Sequence, residues 1–377
     1  MTALPEFRLE TFFSRWEFAA RYHLTASDAQ TMTMAELLEL ADDTDRHAWR
    51  TLSLGYTETF GDPELRAAIA ETYEYADADD VICFAGAEEA LYLAMQVLLG
   101  PSDHAVVLTP NYQAAETVPL ALCPVTGVAL DPGRGWALDV DAVAAAIRPE
   151  TRVVSVNFPN NPTGAVPDAA DFARLAQLCD ERGIHLFSDE VYRGLELDPA
   201  RTLPQAADLS TGALSLNVTS KSLGLPGLRI GWLTCRDREL RSRLERAKHY
   251  TTICNSAPSE VLARIALKAR PRILARNRAI IEANLPVFDG FFAEFADLFD
   301  WAPPAGGCVA YPRYLGADGV ERFCEELLAD SGVLLLPASV YRSELTVTPT
   351  DRFRIGVGRR APEPALEALA RWLRARG

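Results

Sequence analysis

The sequence predicts an α/β fold, a mostly parallel sheet with helices packed on it. Short apolar runs recur through the middle of the 377-residue chain, amphipathic stretches separate them, and turn-forming polar residues follow them. The runs are Val81–Phe84, Ala105–Leu108, Val153–Asn157, His185–Ser188, Leu214–Val218 and Leu228–Thr234. They are short and often β-branched, as strands buried on both faces are. Glu88–Leu99 and Ala169–Arg182 carry apolar residues at helical spacing, and such alternation of strand and helix favours parallel pairing through crossovers.

The ends read differently. Glu6–Tyr22 predicts a helix with an aromatic face made by Phe7, Phe12, Phe13, Trp16 and Phe18. Arg272–Phe299 is mainly helical in pattern, and Pro364–Arg376 reads as a closing helix. The two ends are expected to pack together as a small domain. The expected division is 1–45 and 271–377 for that domain and 46–270 for the large one.

Composition narrows the function. The formal charge of −15 argues against a general nucleic-acid or anionic-membrane surface. No apolar run reaches the roughly 20 residues of a membrane-spanning helix. Met1–Leu9 lacks the basic start and apolar core of a signal peptide. Seven scattered cysteines without a C-x-x-C pair fit reduced thiols in a cytoplasmic protein. Five histidines far apart in sequence give no support for a metal site. Only three residues are lysines, Lys221, Lys248 and Lys268, so chemistry that needs a primary amine has three candidates.

Ligands of open α/β sheets bind beyond the carboxyl ends of the strands. Five segments there are informative. Ala85-Gly86-Ala87-Glu88-Glu89 opens a helix whose free backbone N–H groups could hold a phosphate, although alone it reads as an ordinary strand–helix turn. Tyr112 follows the second run and could stack on a flat ring, although alone it reads as a core or surface tyrosine. Phe158-Pro159-Asn160-Asn161-Pro162-Thr163-Gly164 holds more asparagine and proline than a turn requires. Asp189-Glu190-Val191-Tyr192 places two acids at a buried strand end, which is costly unless a cation or donor meets them; Glu190 reads as a solvated or helix-capping acid. Thr219-Ser220-Lys221-Ser222 leads into the Gly/Pro-rich Gly224–Gly231. Lys248 and Lys268 lie in charged helical stretches and read as surface lysines, which leaves Lys221 for amine chemistry.

Together these segments resemble the class I/II aminotransferase family of pyridoxal-phosphate (PLP) enzymes, fold type I. The resemblance rests on Asn157–Gly164, Ser188–Tyr192, Ser220-Lys221 with Gly227–Gly231, and Phe353–Gly356, in consistent order. It implies a seven-stranded sheet in an α/β/α large domain and a smaller α+β domain from both termini. It also implies roles for particular residues. Lys221 would hold the cofactor covalently and carry the substrate Cα proton. Asp189 would pair with the ring nitrogen. Asn161 and Tyr192 would hydrogen-bond the ring 3-oxygen, and Tyr112 would stack on the ring. Gly86, Ala87 and Glu88 through backbone N–H, with Ser220 and Arg229, would hold the phosphate. Arg354 would clamp the substrate α-carboxylate, with Asn161 and Ser27 also at the substrate. Tyr56 would reach the neighbouring subunit's phosphate, implying a homodimer with shared active sites.

Two features depart from the common pattern. Val218 stands where many relatives have a hydroxyl, and Tyr22–Ala29 replaces the usual Gly-x-Pro substrate loop. The layout also resembles the capreomycidine synthase-like branch in its aromatic first helix, Gly224–Arg229 and Gly306–Arg313. The expected reaction is ping-pong transamination of an amino acid and a 2-oxo acid. The alternative is a PLP-dependent cyclase or lyase, and a non-catalytic PLP-binding protein is the third reading.

Overall fold

The computed structural model describes residues 4–376, so Met1–Ala3, the start of the Met1–Leu9 stretch, and Gly377 lie outside it. Its centre is a seven-stranded sheet: β1 (Val81–Phe84), β2 (His104–Thr109), β3 (Val125–Ala129), β4 (Thr151–Asn157), β5 (His185–Asp189), β6 (Leu214–Val218) and β7 (Gly231–Thr234). The spatial order is β1-β7-β6-β5-β4-β2-β3. Only β7 runs antiparallel to its neighbours β1 and β6; the remaining pairs are parallel.

The buried runs form the centre as the sequence predicts, with two differences. Edge strand β3 was not singled out, because Val125–Gly127 are half-buried and carry no continuous apolar signal. The run Leu228–Thr234 is extended only from Gly231. Pro226–Leu228 is a 3₁₀ turn that ends with Arg229 in the left-handed region, φ 52°.

Helices Ala87–Leu98 and Ala169–Glu181 follow β1 and β4. The second starts at Asp168, whose carboxylate accepts from Ala170 N at 2.7 Å. The aromatic first helix is shorter than the pattern suggested, Arg8–Trp16, and Phe18 beyond it is exposed. The ends of the chain meet: Tyr22–His23 pairs in parallel with Val333–Leu334. Strand Phe353–Gly356 lies between Val309–Ala310 and Leu336–Pro337. Among the described residues no helix is long and apolar enough to cross a membrane.

Two expectations about charged residues are overturned. Lys248 is fully buried rather than a surface lysine. Its Nζ donates to Thr59 O, Cys83 O and Asn255 Oδ1 at 2.6–2.7 Å. A buried ammonium is tolerable because three oxygens replace its water. Glu190 is buried rather than solvated, accepting from Ala206 N at 2.8 Å and Ser215 Oγ at 2.9 Å. Burial pushes its carboxyl up to about 7. Lys268 does sit at the surface, paired with Asp42 and Asp45.

An aromatic cluster backs strand Phe353–Gly356. Phe292 stacks on Trp301 at 4.4 Å, Tyr314 on Phe323 at 4.3 Å, and Phe353 lies 5.8 Å from both Phe299 and Phe323. Phe323 is fully buried. Replacing it with alanine is expected to cost about 3–5 kcal/mol, read as a lower urea midpoint, because the cluster cannot collapse into the space. A loss below about 1 kcal/mol would show that the cluster does not support the strand.

Candidate active site

A cavity of about 860 Å³ opens at the carboxyl ends of the central strands. Strand register sets its floor. Asn157 at the end of β4 pairs with Asp189 at the end of β5, and Asp189 with Leu216 of β6. Asn157 Nδ2 and Phe158 N both donate to Asp189 O, at 3.0 and 3.1 Å. The Asp189 carboxylate accepts from Val191 N at 3.2 Å and otherwise faces the cavity. Burial raises its carboxyl to about 6 against the lowering effects of Val191 N–H and Lys221.

The two asparagines after β4 divide the work. Asn160 holds the turn: its Oδ1 accepts from Thr163 N and Oγ1, and its Nδ2 donates to Pro110 O and Asn157 O. Asn161 lines the cavity, with its backbone N held by Asn157 Oδ1 at 2.8 Å. Its Oδ1 accepts from Tyr341 Oη at 3.1 Å and Arg354 Nη1 at 3.2 Å.

Arg354, on strand Phe353–Gly356, has 0% exposure yet lines the cavity. Its Nη1 also donates to Tyr341 Oη at 2.5 Å and its Nη2 to Thr25 O at 2.8 Å. No carboxylate meets it among the described residues, and its Nε has no partner. Lys221 Nζ donates to Ser27 Oγ at 2.8 Å, and Tyr192 Oη donates to Ser27 O at 2.7 Å. Burial lowers the Lys221 ammonium pKa; nearby Asp28 opposes this and Arg354 adds to it. The buried Tyr192 phenol is held well above its ordinary value.

One end of the cavity is built for close approach. Gly86, at φ 101°, precedes helix Ala87–Leu98, and a Cβ there would lie 2.4 Å from Arg229 Nη2. A Cβ on Gly231 would lie 2.7 Å from Ala87 N. The two glycines bring the helix N-terminus against Arg229, whose Nη1 reaches Ser220 Oγ at 3.4 Å. Backbone N–H groups, a hydroxyl and a guanidinium on one concave surface suit a phosphate. Tyr112 lines the wall and donates to Glu10 Oε1 at 2.9 Å.

The structure therefore brings together Lys221, Asp189, Tyr192, Asn161, Tyr112, Ser220, Arg229, Arg354, Ser27, Ala87 and Glu88, with Gly86 beside them. Tyr56 is not among the cavity residues and is 92% exposed. Sequence reasoning missed Glu10, Glu17, Tyr341 and Arg359. Arg359 Nη2 donates to both carboxylate oxygens of Asp28, at 2.9 and 2.8 Å. Chain separation of 331 residues hides that pair, and the first helix offered only its aromatic pattern.

Backbone N–H groups beside a guanidinium, a buried acid and a cavity amine at the strand ends of this sheet fit a phosphate-bearing aromatic cofactor such as that of PLP-binding enzymes. The chain belongs to the aminotransferase class I and II family, whose model matches residues 22–371. It is 32% identical over 369 residues to capreomycidine synthase of Streptomyces vinaceus, covering 97% of this chain and 92% of that protein. A PLP-dependent aminotransferase from Streptococcus suis superposes with a TM-score of 0.91 at 28% identity, covering 100% of this chain and 99% of the other. The PLP-dependent cyclase OrfR superposes with a TM-score of 0.89 at 27% identity, covering the same shares. The fold is fold type I, and the cofactor of the family is pyridoxal 5′-phosphate.

Proposed function

We propose that this protein is a PLP-dependent aminotransferase that takes an amino acid and a 2-oxo acid in turn through one site. The observation that carries the reading is the convergence on one cavity of Lys221, Asp189 and Arg354, a buried guanidinium that meets no carboxylate among the described residues. When bound, PLP supplies an aldehyde for amines and a ring that stabilises negative charge at Cα.

The chain's own residues supply position and protons. Lys221 Nζ would hold the cofactor and take the substrate Cα proton, and its lowered pKa favours the free amine that this needs. Asp189 is the anion for the ring nitrogen. Tyr112 is the stacking wall, and Asn161 with Tyr192 serves the ring 3-oxygen. Ser220, Arg229 and the N–H groups at Gly86, Ala87 and Glu88 hold the phosphate. Arg354 takes the α-carboxylate, for which its buried, carboxylate-free guanidinium is prepared. Ser27 orients Lys221 and Tyr192.

The same reading includes a cytoplasmic homodimer, with residues 1–45 and 271–377 as the small domain and 46–270 as the large one. Exposed Leu54, Tyr56, Tyr250 and Ile253 support the dimer. They sit on two loops tied together by Lys248, which bonds Thr59 O and Asn255 Oδ1. Tyr56 would serve the partner's phosphate.

The test adds single amino acids to PLP-loaded protein without any 2-oxo acid acceptor. One equivalent of 2-oxo acid per site is expected. Retention of ¹⁵N label in a rearranged product would instead establish the second reading, cyclisation or elimination. That reading is favoured by the similarity to capreomycidine synthase across nearly the whole chain.

A further inference from the structure

Resting on the reading that the cavity binds an α-amino acid beside PLP, we propose that its substrate has a cationic side chain, an ammonium or guanidinium held by Glu10 and Glu17. The charges that line the cavity can be matched one by one. Asp189 is matched by the ring nitrogen, Lys221 by the cofactor, Arg229 by the phosphate, and Arg354 by the α-carboxylate. Arg359 is the remaining cavity guanidinium, and its ion pair with Asp28 neutralises it. An acidic side chain would have to break that pair. Glu10, Glu17 and Glu88 remain, and none has an ion-pair partner among the described residues.

The placement is orderly. Glu10, Phe13 and Glu17 recur at i, i+3 and i+7 along helix Arg8–Trp16 and its C-cap, so one face of that helix covers the cavity with two carboxylates flanking an aromatic ring. Seven helical residues span about 10 Å, the scale of a long side chain. Arg354, fully buried with Nε unpartnered, independently marks the carboxylate end, and its guanidinium lies 5.7 Å from the Phe13 ring. A ligand anchored at Arg354 extends along this wall toward the acids. Burial and repulsion from Glu10 and Asp28 raise the Glu17 carboxyl, and burial with repulsion from Glu10 and Asp189 raises Glu88 to about 7. Such repulsion is relieved when a cation enters. Glu10 keeps its orientation through Tyr112 Oη.

The test uses the PLP-loaded protein and pairs of amino acids alike in shape: arginine with citrulline, and lysine with norleucine, plus glutamate. Half-saturation is read from the change in the bound cofactor's absorbance. At least one cationic member is expected to bind about tenfold or more tighter than its neutral counterpart, the scale of a hydrogen bond to a charged group. In E10Q/E17Q that ratio is expected to fall to about twofold or less. Both residues are exposed and line the cavity, so these substitutions leave the core intact. Equal binding within both pairs, a preference for glutamate, or a ratio unchanged in E10Q/E17Q overturns the inference. The arginine and lysine arms identify which cation is held. Borohydride reduction followed by peptide mapping separates the two failures. Cofactor that never attaches to Lys221 overturns the underlying reading, whereas attached cofactor without charge discrimination overturns this inference alone.

Discussion

Replacing Lys221 with alanine is expected to lower turnover by at least about 10⁴-fold, the upper range for one acid–base group, because the variant loses the cofactor tether and the base together. No other lysine can substitute. Lys248 is buried with its three protons on oxygens, and Lys268 is bound to Asp42 and Asp45. The measurement is steady-state turnover, with borohydride trapping to locate the attached cofactor. Wild-type turnover in K221A, or a trapped cofactor on another residue, would remove the assignment of this site.

The second large effect is expected from Asp189→Asn. Asparagine keeps the shape and can still accept from Val191 N through Oδ1, so the fold is preserved and the change is in charge. Without the anion the ring nitrogen loses the partner that keeps it protonated, and turnover is expected to fall on the order of 10³-fold. Attachment to Lys221 is expected to persist, which separates this variant from K221A. The pH dependence has a definite sign. The carboxyl, raised to about 6 by burial, is an anion above that value and neutral below it. Cofactor affinity in the wild type is therefore expected to weaken as pH falls through about 6, and the same dependence to vanish in D189N. Full turnover by D189N would show that the acid is structural only.

Much of this arrangement was legible because it lies at strand ends. Asp189, Asn161, Lys221 and the Gly86 turn each follow a buried apolar run, and sheet register then places them side by side. Arg354 was legible only through family resemblance, since nothing local marks Phe353–Gly356 as part of a site. Lys248 was misread because its helix, Arg238–Lys248, is highly charged elsewhere, and its partners come from residues 59, 83 and 255. Glu190 was misread for a similar reason: its donors, Ser215 and Ala206, lie 16–25 residues away and are invisible to local pattern. Edge strand β3 lacked signal because one face is partly open. For Lys248 and Glu190 the hidden feature was a polar group satisfied by partners distant in the chain, which periodicity does not record.

The placement of the three lysines makes the molecule unusual as a chemical reagent. One amine lines the active cavity, one is sealed in the interior, and the third is engaged by carboxylates at the surface. Reagents that acylate or reductively alkylate amines will find few competing lysine targets among the described residues. Modification with such reagents can report directly on occupancy of the cavity, and attachment to amine-reactive supports or dyes calls for an introduced lysine or a thiol handle instead.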